Sequence, residues 1–413
     1  MGQILIEEDA ERLIRKARKR FESRMKNPDN ADFIDSSPVI ITGHQPIFYH
    51  PGILIKDLLA VALARAVHGR ALNLIVDTDD EDIELRLPVS TGRWTLGREM
   101  YLLSPRGIVL RNRPINPGIR ETMLARLREY EKEIHKIFTP VAVSYVRDGV
   151  EMMIEALEDA QEICDPGVRL REIWERRNGI RIETIYAGEI IRTRTFDRFK
   201  EMIANDSARF RQIYNSALSE YRRFHRIKNM AQPLPDLHKG ELPFWRVRNG
   251  ERTALREGDP IHDPDIYPRA VTLTLFCRMH IADLMIHGTG GGRYDQITDR
   301  IIRDFFATEA AAFTVATATL SLDVRADIPI VARTLHDIET DIRALQFDPS
   351  RFLPEGHELS IEKHSYTELM KRIDIDRSKI HAKIQEVNRR IYPLIEEKRS
   401  NLLREYERSK VVV

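Results

Sequence analysis

"VIITGHQPIFYHPGILIKDLLAVALARAVHG" runs from Val39 to Gly69, and "ALNLIVDTDDED" follows from Ala71 to Asp82. The first stretch opens on an apolar, β-branched run that reads as a buried strand. Pro51 then stands at a first-turn position, and Ile53, Leu54, Leu58, Leu59 and Ala62 recur at helical spacing until Gly69, so a helix follows. The second stretch begins with another buried strand. Strand, helix and strand within about 40 residues are the sign of a right-handed βαβ unit in a parallel sheet. The expected fold class is α/β with a Rossmann-like parallel core.

Between that first strand and its helix lie Gly43, His44, Gln45, Pro46, His50 and Gly52. In an open parallel sheet, ligands bind beyond the carboxyl ends of the strands, which is where this motif falls. Gly43 and Gly52 permit close backbone approach, and the first N–H groups of the helix favour a phosphate or carboxylate. His44 and His50, with Gln45 beside them, are candidates to bind that anion or to act as acid and base, and Lys56 is a candidate ligand contact. The same residues also fit a plain turn in which the prolines fix the loop and one histidine caps the helix.

"HGTGGGRYDQITD", His287 to Asp299, again lies between a predicted strand and a helix. Gly288, Gly290, Gly291 and Gly292 disfavour any regular element, so the expectation is a loop with positive φ that cradles an anion, with His287 at its start. Arg293 stands where a dinucleotide fingerprint has its third spaced glycine, and no Gly-Lys-Ser/Thr makes the stretch a P-loop. A flexible crossover is the competing reading. A third cluster, Asp79, Asp80 and Asp82 at the end of the second strand, suits an amine, a hydroxyl or Mg²⁺, or else a solvated acidic loop. Arg278, just before the later strand, is a further candidate ligand contact.

With these motifs the chain resembles the cysteine-adding enzymes of bacillithiol biosynthesis and, more broadly, the nucleotidyltransferase-like α/β superfamily. Thr42, Gly43, His44, Gln45 and Pro46 are similar to that family's Thr-Gly-Gln-Gln-Pro, and Thr78 to Asp82 to its Thr-Glu-Asp-His-Asp run. "HGTGGGRYD" is similar to its later Gly-Gly loop. His44 replaces a glutamine and Glu81 a histidine of the family's pattern. In the broader superfamily, histidines of a His-x-Gly-His-type motif meet nucleotide phosphates at the first helix, and His44 and His50 are the counterparts here. The resemblance implies an enzyme joining cysteine, or a similar amine or thiol, to an acceptor. It also leaves nucleotidyl transfer onto a small molecule, with ATP or ADP and Mg²⁺ as cofactor, and a non-catalytic nucleotide-binding or assembly module as alternatives.

The remaining chain sets the organisation. At 413 residues it exceeds one ordinary core, and the expected division is 1–118 for the first half of the core, 119–230 for a helical connective insertion, 231–345 for the resumed core and 346–413 for C-terminal helices. Residues 8 to 26 read as a basic amphipathic helix, "FDRFKEMIANDSARFRQIYNSALSEYRRF" as a helical period, and Asn249-Gly250 as a hairpin turn. Ile380, Ile384, Val387, Ile391 and Leu394 form a coiled-coil-like seam, interrupted at Pro393, that suits a homodimer.

The partner expected is a small molecule. Basic and acidic residues number 65 and 64, so nothing global points to nucleic acid. No apolar run approaches the roughly 20 residues of a membrane span, and the opening residues lack a signal-peptide pattern, so a cytoplasmic location is expected. The two cysteines, Cys164 and Cys277, have no metal-ligand spacing, and no serine-hydrolase elbow or His-Glu-x-x-His is present.

Overall fold

The computed structural model describes residues 2–6, 8–25, 36–81, 83–92, 95–104, 109–229, 233–320, 340–345, 348–354, 356–369, 377–409 and 411–412. In chain order the first elements are β1 (Gly2–Ile6), α1 (Ala10–Met25), β2 (Val39–His44), α2 (Pro51–Val67), β3 (Arg70–Ile75), β4 (Ile83–Gly92) and β5 (Thr95–Ser104). Then come α3 (Pro117–Glu133), α4 (Pro140–Glu158), α5 (Asp165–Arg177), β6 (Glu183–Tyr186), α6 (Ala187–Ile190), α7 (Arg194–Asn205) and α8 (Ser207–Phe224). A hairpin, β7 (Glu241–Arg248) and β8 (Glu251–Arg256), leads to β9 (Ile266–Pro268), α9 (Ala270–Phe276), β10 (Leu284–His287), α10 (Thr289–Ile301) and β11 (Ala312–Leu320). The last elements are α11 (340–345), α12 (Glu358–Leu369), α13 (Arg377–Ile391), α14 (Glu396–Ser409) and β12 (Val411–Val412).

The expected strand, helix and strand are β2, α2 and β3, with β2 and β3 parallel in register from Val39↔Arg70 to His44↔Ile75. They belong to a six-stranded sheet of order β1-β11-β10-β2-β3-β6, in which only the edge strand β1 runs antiparallel to its neighbour. β2 opens on the apolar run Val39 to Ile41 because both of its faces are covered. Val39 and Ile41 pack with Leu72, Leu74 and residues of α7 to α10, whereas Ile40 packs with Ala71, Leu284, Ile286 and α2. The end of α2 differs in detail from the sequence reading. His68, not Gly69, takes the left-handed cap (φ 56°), and a Cβ on Gly69 would lie 2.1 Å from the Pro38 carbonyl oxygen, so that glycine serves close chain approach.

The chain divides into two compact units: Met1–Glu84, Leu102–Ile134 and Pro140–Asp323 in the first, and Leu85–Tyr101, His135–Thr139 and Val324–Val413 in the second. Nearly all of residues 119–230, expected as an insertion, therefore folds with the sheet and supplies β6 as its edge strand. The long helical period breaks at Asp206 into α7 and α8. The Asn249-Gly250 hairpin forms as read, with both residues at positive φ (53° and 81°) and Arg248 opposite Glu251.

In the second unit, Val387 and Ile391 of the seam are buried against Leu345, Leu359 and Leu402 of the same chain. Leu394 is 58% exposed and Ile395 takes its place inside. The reason is the 3₁₀ turn Tyr392–Ile395 at Pro393, which shifts the helical phase by one residue. Among the described residues no helix is long and apolar enough to cross a membrane.

Candidate functional site

β2 and β10 are adjacent at the centre of the sheet, and the helices that leave them pack on opposite faces. α2 lies with Ile40, Leu284 and Ile286, while Ile297 and Ile301 of α10 lie with Val39 and Ile41. Where two such connections diverge, a crevice opens beyond the strand ends. A cleft of about 540 Å³ occupies that position, lined by the segments after β2, β3 and β10, by Trp245 and Arg252 of the hairpin and by the start of α9.

Most of the predicted residues meet here: Gly43, His44, Gln45, His50, Gly52, Lys56, Asp79, His287, Gly288, Gly290 and Gly291 line the cleft. Some of them serve the fold, as the turn reading of the first motif expects. Gly43 serves the sheet, since a Cβ there would lie 2.6 Å from the Leu74 carbonyl oxygen. His50 is the N-cap of α2. Its Nδ1 accepts from the Gly52 N–H at 3.1 Å, and its carbonyl accepts from Ile53 and Leu54, so the first N–H groups of α2 are already answered. A Cβ on Gly52 would strike the His50 ring at 2.9 Å. With Nδ1 accepting, the His50 proton sits on Nε2, and the ring presents a donor.

The glycine run is not a loop. Gly288 is the N-cap of α10 in extended backbone (φ −80°, ψ 175°), and Gly290, Gly291 and Gly292 form the first helical turn, none at positive φ. Tertiary neighbours explain two of them. A Cβ on Gly292 would lie 2.2 Å from Val315 Cγ2 and one on Gly291 would lie 2.7 Å from His287 Nδ1, whereas Gly290 has nothing within 4 Å. No side chain caps this end. The N-terminus of α10 thus faces the cleft with its donors open, and Gly292 points away from it.

Beside it lies Lys56, 2% exposed, whose Nζ donates to the Gly43 carbonyl at 2.7 Å. Burial pulls its ammonium down to about 8, against a smaller opposing pull from Asp57. The same burial, with Lys56 and His50 nearby, lowers His44 to about 3. His44 is therefore neutral near pH 7, with Nδ1 3.3 Å from the Gln45 carbonyl oxygen. His50 is also shifted down, by burial and then by Lys56. The acid and base pair expected of these two histidines is thus a pair of neutral rings, one of them holding a helix cap.

The acidic run is engaged rather than open. Asp79 accepts from Gln45 Nε2 at 2.9 Å and from Arg252 Nη1 at 2.9 Å, and Asp80 pairs with the same guanidinium. Burial would raise the Asp79 carboxyl, but these bonds and the Asp80 backbone N–H outweigh it and hold it below the usual range. Asp80 is off the cleft wall, and Asp82 lies outside the described residues. Among the described residues, Asp79 and Asp80 are thus paired with Arg252 rather than open to a cation. Among the described residues no group of three or more His, Cys, Asp or Glu could hold a metal ion.

Arg278 lies behind the cleft, not in it. Its Nε donates to the Ala311 carbonyl at 2.8 Å and its Nη1 is 2.9 Å from Asp295 Oδ1. Asp295 in turn meets His287 Nε2 at 2.7 Å. Asp295, Arg252, Trp245 and Arg269 were not singled out in the sequence. Asp295 sits inside the quoted glycine stretch, eight residues from His287, and its spacing on the helix is the one signal that could have found it. Arg269 stacks 4.0 Å above the Trp245 ring, a contact between separate elements that no local pattern announces. No protein-family model matches the chain, and no curated protein matches it either.

Proposed function

We infer that the chain is an enzyme of the transferase or ligase type, which holds the anionic group of a small-molecule acceptor at the open N-terminus of α10 and joins to that acceptor an amine or thiol such as cysteine. The observation that carries this reading is the pairing of an uncapped helix N-terminus with Lys56, a buried ammonium that meets no described carboxylate in an ion pair. Both contribute positive potential at one point of a switch-point crevice, where a phosphate or carboxylate is the complementary group. The resemblance to the bacillithiol-type family supports the choice of an amine or thiol as the second substrate. A cytoplasmic location and a homodimer through the C-terminal helices complete the proposal, although burial of Val387 and Ile391 within one chain leaves little of the seam for a partner.

Nucleotidyl transfer is the second reading. It is favoured by the apolar residues of the cleft lining, Leu234, Val271, Leu273 and Met285 together with Trp245, against which a nucleobase can pack. Thermal-shift titrations with inorganic phosphate, ADP, ATP, cysteine and glucosaminyl malate test both. Phosphate should raise the melting temperature of wild type and not of Gly290→Asp, which places a carboxylate at the open turn. Cysteine or the sugar malate acting additively with phosphate favours the first reading, and ATP alone favours the second. No shift with any anion would overturn the proposal.

A further inference from the structure

His44 and His50 each have one ring nitrogen engaged locally, and His287, read only as a ligand contact, stands at the end of a buried polar chain. Arg278 is anchored on the Ala311 carbonyl, its Nη1 faces Asp295 Oδ1, and Asp295 Oδ2 faces His287 Nε2 at 2.7 Å. Asp295 is 1% exposed. Burial alone would raise its carboxyl, yet the bond to His287, the charge of that ring when protonated and the charge of Arg278 hold it below its usual range. An ionised carboxylate only accepts, so whenever the ring carries a single proton it resides on Nε2, with the lone pair on Nδ1. That lone pair is not spent on the helix, because α10 has no side-chain cap. It lies beside Gly291, where any Cβ would come within 2.7 Å, next to the open turn at Gly290.

We propose that His287 is the catalytic base of this site and that Asp295 and Arg278 are its positioning residues. The proposal rests on the anion-site reading above and adds where the proton goes. An N–H or S–H of the incoming nucleophile gives its proton to His287 Nδ1, and the electron pair so freed forms the bond to an acceptor that carries a phosphate leaving group. The phosphate departs with the electrons of the broken bond and stays against α10 and Lys56. Asp295 and the departing anion both stabilise the imidazolium that results.

Histidine tautomers are read directly from nitrogen chemical shifts, independently of any assay of turnover. Full-length protein labelled with ¹⁵N-histidine, its 13 histidines resolved with the aid of His287→Asn and read at a pH where the ring carries a single proton, should show His287 with a protonated Nε2 and a bare Nδ1. In Asp295→Asn, Arg278 keeps the amide oxygen on its own side, so the amide nitrogen donates to Nε2 and the ring proton moves to Nδ1. Asp295→Glu restores the original tautomer. Carbethoxylation of His287 by diethyl pyrocarbonate, which needs the lone pair, should slow at least tenfold in Asp295→Asn and be blocked in wild type by phosphate. A wild-type His287 protonated on Nδ1, or a tautomer and rate unchanged in Asp295→Asn, overturns the proposal whatever phosphate does. The expected tautomer with no phosphate protection instead overturns the anion-site reading, and with it the role of base, while the geometry of the chain stands.

Discussion

Replacing Lys56 by Met separates stability from ligand binding. The ammonium is fully inside the fold, and its proton affinity falls from 10.5 to about 8 chiefly through burial. At about 1.4 kcal/mol per pH unit, that difference is a cost of about 3 kcal/mol to the folded state at pH 7, where both folded and unfolded chains carry the proton. Loss of the bond to the Gly43 carbonyl offsets about 1 kcal/mol of this. The variant should therefore be more stable by about 2 kcal/mol at pH 7. The gain depends on pH and, once the penalty is smaller than the lost bond, it turns into a loss of up to about 1 kcal/mol. Between about 8 and 10.5 the unfolded chain holds more protons at this group than the folded one, so the wild-type penalty shrinks as pH rises and is gone above 10.5. Binding moves the other way: a lost charge-assisted contact of about 1.5–3 kcal/mol weakens phosphate roughly 10- to 150-fold. Urea unfolding at pH 7 and pH 10, followed by circular dichroism, reads the first effect and calorimetric titration the second. A variant less stable than wild type at pH 7, or a gain that persists undiminished at pH 10, refutes the argument.

Gly292→Ala should destabilise the first unit by about 1–3 kcal/mol, because its Cβ meets Val315 at 2.2 Å, whereas Gly290→Ala should be neutral or stabilising by up to about 1 kcal/mol; paired melting curves decide. Arg24→Met leaves Asp283, at 0% exposure, with the Val39 N–H as its remaining hydrogen-bond donor among the described residues, and should cost about 3–5 kcal/mol in the same measurement. The His44 resonances should not move between pH 5 and pH 8, since its proton leaves near 3, and a titration near 6.5 would contradict the burial argument. Sulfate, which does not itself titrate in this range, should bind at pH 9 with uptake of a fraction of a proton by Lys56 and at pH 6.5 with none from that group, as calorimetry in buffers of different ionisation enthalpy would show.

The strand, helix and strand from Val39 to Ile75 were legible because three independent signals agreed: β-branched runs, Pro51 at the first turn and a helical apolar period. The hairpin at Asn249-Gly250 was legible for a similarly local reason, the two positive φ values that the turn demands. The glycine run misled because intrinsic propensity speaks against a helix, whereas the residues that require glycine there, Val315 and the His287 ring, come from tertiary packing. β6 is only four residues long and joins the sheet through β3, which no pattern within it reveals. The site was legible as a place but not as a set of roles. Arg252, which engages the acidic run, lies 173 residues from Asp79, and only the folded sheet brings the two together.

The electrostatics of the cleft follow from what each charge has already met. Arg252 answers Asp79 and Asp80, Arg278 and His287 answer Asp295, and Glu241 answers Arg269. His50 closes the positive end of α2. What stays unanswered among the described residues is positive: the ammonium of Lys56 and the first turn of α10. A buried charge that shifts its proton affinity this far lowers the stability of the folded chain, and hydrophobic residues of similar size are the ordinary occupants of such a position in a helix packed on a sheet. The absence of any capping side chain at α10 runs in the same direction, since Ser, Thr, Asn or Asp at position 288 would satisfy those donors and stabilise the helix by about 1 kcal/mol. Two neighbouring features thus forgo local stability in the same sense of charge and at the same end of the sheet. A ligand anion is the single partner that resolves both, which is why the electrostatics, more than the histidines, single out this face of the cleft for the proposed anion site.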